Sequence, residues 1–588
     1  MYAPCTASMW AWIRHAPATS VPGPRKIDVD MSDEQGQICV SIRGISTRAA
    51  ATDNASPSKA EPMPAARRPV SAQATTTPGA MTLLPVWEPA PEAVGARWPS
   101  ATDRVAIIGG GRHIQETWQK ALPALLTIET EQIAAWQAFV TPLDHVIWVA
   151  PEPMPSTAPP DADTVIEDQA QGTIAVWRLM KALLASGYGR HPLGLTIIMR
   201  SSLASHPLEP CDPTHAGIGG LMGAVAKEYP NWRIRVVDLH DKDFDDGGLQ
   251  ALLMRPPERD GNTVLYRQRQ WFSQRLLPLS VAPAAASGFK QGGVYVIAGG
   301  AGGLGRAISA YLIRRYQARI VWLGRSPADA GIDAHIAALS AEGPAPCYIQ
   351  TDATDAASLG RAREDIARRF GPVHGLIQSA LVLEGASIER MSERQFTDVL
   401  RAKVDVSMRL IDAFSRDPLD LVLFVSSINA YLKAMGQGNY AAACTFKDSL
   451  ALRLAQTLPC AVKVINLGYC FNNADSEQAS GATEKKDMDF ISSDELMAGL
   501  ETLCASSLPQ MTLMKFSPSQ NTRGIVMGTE QARAQSGGPV SRREGRNSRP
   551  HPGSPIEGPV TDVSTGDASA DDLARIIERM KALNALTI

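Results

Sequence analysis

The chain has 588 residues, enough for two or more domains with a sizeable core, and its 44% hydrophobic and 20% charged residues are ordinary for a globular protein. A formal net charge of −3 leaves no electrostatic footprint for nucleic acid, and no apolar run approaches the ~20 residues that cross a bilayer, so neither nucleic acid nor membrane is an expected partner. Eight scattered cysteines without a C-x-x-C pair, and an N-terminus with no basic segment leading into an apolar stretch, point to the reducing cytoplasm and to no metal site.

Residues 1–80, rich in Ala, Pro, Thr and Ser, read as a disordered tail, with residues 38–45 a short strand lacking an evident partner. A first unit spans residues 81–288. Order begins near residues 83–87, and a strand at 105–108 runs into Gly109-Gly110-Gly111. Further strands are expected at 145–149, 195–199 and 234–238. Between them lie a helix with Val176, Leu179, Leu183 and Leu184 on its apolar face and another at 220–228.

The order then recurs over residues 289–520. Strands are expected at 294–297, 320–323, 374–377, 421–425 and 462–466; the first unit has no clear counterpart of the one at 320–323. Short apolar strands alternating with helices specify an α/β fold with a parallel sheet covered on both faces. Two rounds specify two Rossmann-like, doubly wound subdomains. Residues 521–568 read as a flexible linker rich in Gly, Ser, Arg and Pro. Residues 569–588 read as an amphipathic helix with Leu573, Ile576, Ile577, Met580 and Leu583 on one face and a capping box from Ser569 and Asp572. That helix either packs on its own domain or docks a partner helix.

The second unit carries the chemistry. The turn Gly299-Gly300-Ala301-Gly302-Gly303-Leu304-Gly305 follows a strand and opens a helix, the context in which glycines let backbone N–H groups approach a dinucleotide pyrophosphate. Reduction of a carbonyl by a nicotinamide also needs an acid for the new alkoxide, and tyrosine suits only if a nearby cation depresses its pKa from about 10. Ser427 sits at the carboxyl end of a strand; Tyr440 follows thirteen residues later, and Lys403 precedes Ser427 by twenty-four. In the first unit the same offset from Ser202 lands on His215, and the glycine turn runs straight into Arg112-His113. That unit therefore reads as structural.

The glycine turn, Lys403-Val404-Asp405, Ser426-Ser427 and Gly436-Gln437-Gly438-Asn439-Tyr440-Ala441-Ala442-Ala443 resemble, in order and spacing, the ketoreductase domain of modular polyketide synthases, a branch of the short-chain dehydrogenase/reductase superfamily. The resemblance covers roughly residues 83–520, and segments 213–216, 226–232 and 377–383 are similar to the trans-acyltransferase type in particular. It implies a structural subdomain followed by a catalytic one. Tyr440 would be the proton donor, Ser427 would hydrogen-bond the carbonyl, and Lys403 would lower the tyrosine pKa and relay protons. Gly299, Gly300, Gly302, Gly303, Leu304 and Gly305 would border the pyrophosphate of NADPH. Arg325, with Ser326, would take its 2′-phosphate, Asp352 and Ala353 would meet the adenine, and Ser379 and Ala380 would line the same site. The implied substrate is a β-ketoacyl thioester on an acyl carrier protein, and the implied partners are other polyketide synthase subunits.

The chain departs from the family pattern in four places. Cys444 stands where the family usually has asparagine; Leu467-Gly468-Tyr469-Cys470 stands where tryptophan and glycine are usual. Leu383-Glu384-Gly385 and Leu432 replace the markers of the two hydroxyl configurations, leaving the stereochemistry open with a lean to the class lacking the acidic motif. Two rivals stand beside the reductase: a non-reducing scaffold of the same fold and a stand-alone dehydrogenase for small ketones. With no ketosynthase Cys-His-His set, acyltransferase serine elbow or carrier Asp-Ser-Leu motif, the chain reads as one piece of a larger synthase.

Overall fold

A computed structural model describes residues 10–15, 26–32, 38–46, 79–90, 97–130, 132–133, 142–152, 159–279, 287–470 and 488–516. The expected linker at 521–568 and helix at 569–588 lie outside the described residues. Two compact units divide the chain, residues 1–75 and 76–588.

In residues 1–75 the strands correct the expectation of a disordered tail and give the short strand expected at 38–45 a partner. β1 (Trp10–His15), β2 (Lys26–Ser32) and β3 (Ile38–Ser46) form a three-stranded antiparallel sheet in that order. Ile27, Val29 and Met31 alternate with polar residues along β2, and Val40 and Ile42 flank Ser41 along β3. This period of two is that of a β-strand, obscured by the surrounding Pro- and Ser-rich sequence.

The second unit is built on one continuous sixteen-stranded sheet. Its strands are β4 (Met81–Pro89), β5 (Val105–Gly109), β6 (Leu126–Ile128), β7 (His145–Val149), β8 (Leu193–Arg200), β9 (Trp232–Leu239), β10 (Thr263–Arg267) and β11 (Gln270–Pro278) from the N-terminal half. The other half contributes β12 (Val294–Ala298), β13 (Arg319–Gly324), β14 (Cys347–Gln350), β15 (Gly375–Gln378), β16 (Leu421–Ser427), β17 (Ala461–Leu467), β18 (Met488–Asp489) and β19 (Gln510–Phe516). The order runs β14-β13-β12-β15-β16-β17-β19-β4-β11-β10-β9-β8-β7-β5-β6, with β18 on β19.

The strands from β14 to β19 are parallel, as are those from β10 through β9, β8 and β7 to β5 and β6. In both halves the chain order reverses beside the glycine turn, at β12/β15 and at β5/β7, the switch point where open α/β sheets bind ligands. The two expected subdomains are thus joined edge to edge through β4 and β11, which run antiparallel to each other and to their outer neighbours β19 and β10. β6, parallel to β5, is the counterpart of β13 that sequence periodicity does not reveal. It is three residues long, and Leu126 is exposed, so it carries almost no pattern.

One core spans both halves. Ile218, Leu221, Met222 and Val225 from the helix Gly217–Glu228 pack in the same cluster as Ala442, Ala443, Phe446 and Leu450 from the helix Gly438–Thr457. Small residues allow the approach: a Cβ on Gly220 would stand 2.3 Å from the carbonyl oxygen of Ala441 and 2.7 Å from the backbone nitrogen of Ala442. The first half is therefore a rigid back wall to the helix that carries Tyr440.

Candidate active site

β12 ends in the glycine turn, and the helix Gly303–Tyr316 begins at once. The turn is held by Gly299 N–H on Leu323 O (3.0 Å), Gly300 N–H on Ile297 O (3.2 Å) and Gly302 N–H on Gly299 O (3.1 Å). Gly299 has φ +78°, and a Cβ there would meet the Ala380 Cα at 2.8 Å; a Cβ on Gly305 would meet the Gly300 Cα and oxygen at 2.6 Å. Only glycine permits this packing, and it leaves the first-turn N–H groups of the helix facing the end of the sheet.

Beside the turn lies a cavity of about 220 Å³ lined by Gly299, Arg325, Asp352, Ala353, Ala380 and Arg401, among others. Exposed Arg325 directly follows β13. The Asp352 carboxylate accepts from Thr354 N–H (3.0 Å) and Thr354 Oγ1 (2.8 Å). Burial raises its pKa, but these bonds and the nearby Arg325 and Arg401 hold it below the usual carboxylate value. Ser379 Oγ donates to Ala298 O at 2.9 Å, fixing the loop that crosses over Gly299. Ser326 is exposed and outside that lining; its carbonyl accepts from Tyr348 Oη at 2.5 Å. A glycine turn at the start of a helix, beside a cavity lined by two guanidinium groups, suits a dinucleotide.

Tyr440, Ser427, Lys403 and Cys444 converge at the carboxyl end of β16. Ser427 ends that strand, and its Oγ accepts from Asn429 N–H at 3.2 Å. Asn466 Nδ2 donates to Ser427 O at 3.2 Å. Half-buried Tyr440 lies in the first turn of the helix Gly438–Thr457, with Cys444 one turn on, buried on the same face. Lys403, only 3% exposed, precedes the helix Val404–Phe414, and its Nζ lies over the Tyr440 ring, 5.1 Å from the centroid.

The electrostatics differ from the expected lowering of the tyrosine pKa. Desolvation pushes the Tyr440 hydroxyl well above the ordinary tyrosine value; Cys444 and Cys470 add to the rise, and the nearby Ser427 hydroxyl opposes it. The lysine charge meets the ring face, where it is attracted to the π system. Burial likewise raises the Cys444 thiol, with Lys403 opposing. Cys444 is thus a neutral space-filling group in this arrangement.

Sequence reasoning missed three contributors. Arg401, in the segment that announces Lys403, bonds Asp405 at 3.1 Å and lines the cavity. Glu228, at the end of the first half's helix, accepts from Ile388 N–H (2.8 Å) and from Gly436 N–H (2.9 Å), four residues before Tyr440. Lys181 donates to the carbonyls of Ile388 and Met391, both at 3.2 Å. No local pattern announces contacts between residues so far apart in the chain. In the first half, Ser202 and His215 are buried, at 1% and 5% exposure, which leaves no open counterpart of the Ser427–Tyr440 pair. Among the described residues no cluster of His, Cys, Asp and Glu has the form of a metal site, and no helix is long and apolar enough to cross a membrane.

Residues 293–470 match the family model described as the KR domain. The chain is 36% identical over 532 residues to polyketide synthase PksN of Bacillus subtilis (strain 168), covering 89% of this chain and 9% of that protein. It is 34% identical over 534 residues to PksM of the same organism, covering 89% and 12%. Thus it spans about a tenth of the length of these relatives. Its fold is similar to that of an N-terminal ketoreductase from the macrolactin assembly line (TM-score 0.63, 17% identity, 74% of this chain and 92% of that one). It is also similar to a ketoreductase domain from the bacillaene assembly line (TM-score 0.59, 19% identity, 75% and 98%). The glycine turn, the Ser427–Tyr440–Lys403 cluster and these likenesses agree: this chain carries a ketoreductase domain of polyketide synthases, an oxidoreductase of the short-chain dehydrogenase/reductase type.

Proposed function

We propose that the chain reduces a β-ketoacyl thioester, presented on an acyl carrier protein by other synthase subunits, to the β-hydroxyacyl thioester, with NADPH as the reductant. NADPH supplies the hydride when bound. The backbone of Gly299–Gly305 holds the diphosphate, and Arg325 and Arg401 take the 2′-phosphate that separates NADPH from NADH. Ser427 donates to the ketone oxygen, and Tyr440 delivers the proton from its hydroxyl to that oxygen as it becomes an alkoxide. Lys403 favours the transient tyrosinate through its positive charge.

The observation that carries this reading is Lys403 Nζ over the Tyr440 ring, 5.1 Å from its centroid, at the carboxyl end of β16, which Ser427 closes. The test is NADPH oxidation with a β-ketoacyl-N-acetylcysteamine thioester, for wild type and Tyr440→Phe. Turnover that Tyr440→Phe abolishes supports the reading. Turnover equal in both removes Tyr440 from it. The high tyrosine pKa and Cys444 favour a second reading, a scaffold that binds NADPH without turnover. Binding without oxidation by wild type would establish that one.

A further inference from the structure

Glu228 ends a helix of the first half, yet both oxygens of its carboxylate reach into the second. Oε2 accepts from Ile388 N–H at 2.8 Å, and Oε1 accepts from Gly436 N–H at 2.9 Å. Ile388 lies in the loop between β15 and the helix Glu393–Arg401. Gly436 lies in the turn that leads into the helix carrying Tyr440.

That loop spans the ground between the cavity beside the glycine turn and the proton donor. Its first residues, Ala380, Leu381 and Val382, line the cavity. Further on, Glu384 O accepts from Asn439 Nδ2 at 2.8 Å, one residue before Tyr440. The loop and the turn also touch: a Cβ on Gly385 would stand 3.0 Å from the Gly436 oxygen. Ile388 is pinned from the first half on both sides of its backbone. Glu228 takes its N–H, and Lys181, from the helix Thr173–Ala185, donates to its carbonyl oxygen at 3.2 Å. Its side chain is fully buried in the shared core.

Both groups that Glu228 serves are donors. A carboxylate has two acceptor oxygens and satisfies both. An amide of the same shape has one oxygen and must turn its NH₂ against one of the two N–H groups. The contact therefore requires glutamate rather than a group of its size, and leaving one buried N–H unpaired would free the segment that carries it.

We infer that Glu228 is a positioning residue: its carboxylate fixes the loop against the turn, and so fixes the orientation in which a ketone lies between the hydride donor and Tyr440. This rests on the reductase reading above. A ketone has two faces, and a loosened wall lets the chain lie either way round, so the hydroxyl configuration becomes mixed.

Hydrogen exchange and product analysis test it. In the wild-type chain the amides of Ile388 and Gly436 should exchange slowly. In Glu228→Gln, peptides covering 384–391 and 434–438 should exchange about tenfold faster, with the glycine turn unchanged. On a β-ketoacyl-N-acetylcysteamine thioester this variant should lose about tenfold in kcat/KM and raise the minor hydroxyl enantiomer about tenfold, while the NADPH Kd stays within about twofold. Lys181→Met, which frees the loop but leaves the turn held, should speed exchange at 384–391 alone and shift the enantiomer ratio less. Fast exchange of the two wild-type amides overturns the proposal. A Glu228→Gln variant with the wild-type kcat/KM and enantiomer ratio, whatever its Tm, also overturns it and makes Glu228 a packing residue. If Glu228→Gln does not fold, wild-type exchange and Lys181→Met decide. Equal turnover of wild type and Tyr440→Phe would instead overturn the reductase reading and leave the exchange result standing, which separates the two failures.

Discussion

Gly220→Ala tests whether the first half holds the catalytic helix in place. The added Cβ would stand 2.3 Å from the Ala441 oxygen, 2.4 Å from its carbonyl carbon and 2.7 Å from the Ala442 nitrogen. Ordinary contact lies near 3.4 Å or beyond, so the two helix backbones must separate by about 1 Å, and no flexible side-chain end can absorb it. Overpacking of this kind costs about 1–3 kcal/mol. A shift of about 1 Å at a reacting group can cost on the order of 10²-fold in rate. Because Ala441 follows Tyr440 directly, we expect lower Tm and kcat down ten- to a hundredfold, with NADPH affinity little changed. Gly360→Ala is the control: Gly360 lies in the helix Ala356–Phe370 with nothing within 4 Å of the added carbon, and it should stabilise by about 0.5–1 kcal/mol. Wild-type Tm and kcat for Gly220→Ala would refute the back-wall role.

The remaining predictions concern the site and its surroundings. Tyr440→Phe should lose about 10²–10⁴-fold in kcat while still binding NADPH, measured by fluorescence titration. Arg325→Ala and Arg401→Ala should each weaken NADPH more than NADH; equal losses would remove that arginine from the 2′-phosphate site. Cys444→Asn should keep or raise kcat, and a fall of tenfold or more would make the thiol a required part of the site. His215 is buried with its pKa pushed down to about 4, against 6.5 when unfolded. The unfolded chain therefore binds more protons between those values, so the stability His215 contributes is present above pH 6.5 and lost as pH falls towards 4. His215→Gln should flatten the acid side of the Tm–pH curve, and an unchanged slope would exclude that contribution.

Much of the molecule was legible because its signals are local. Strands buried on both faces, such as β12 and β16, read as unbroken apolar runs, and the glycine turn between β12 and its helix needs residues that nothing else replaces. The spacing that joins Ser427, Tyr440 and Lys403 is likewise a property of one stretch. Edge and junction strands were not legible. β14 is half-exposed, β6 is three residues long, and β4 and β11 owe their places to partners far away in the chain. Glu228 and Lys181 were missed for the same reason: each looks like a solvated helix residue until the opposing element is known. Lys403 differed in a subtler way, since spacing placed it at the tyrosine but not over the ring face.

The junction through β4 bears on how such proteins can be cut and recombined. β19 gives its backbone hydrogen bonds to β17 on one side and to β4, from the start of the unit, on the other. A fragment beginning near residue 287 would keep the glycine turn and Tyr440 yet bare the ladder edge of β19, whose sequence Gln510-Met511-Thr512-Leu513-Met514 carries no charge to deter pairing with another copy. It would also strip the small-residue face from the catalytic helix. Such a fragment should be recovered as aggregates, whereas one that starts before Met81 should remain a monodisperse reductase. For exchange between assembly lines, the smallest transferable piece is therefore both halves together, with the cut placed ahead of β4.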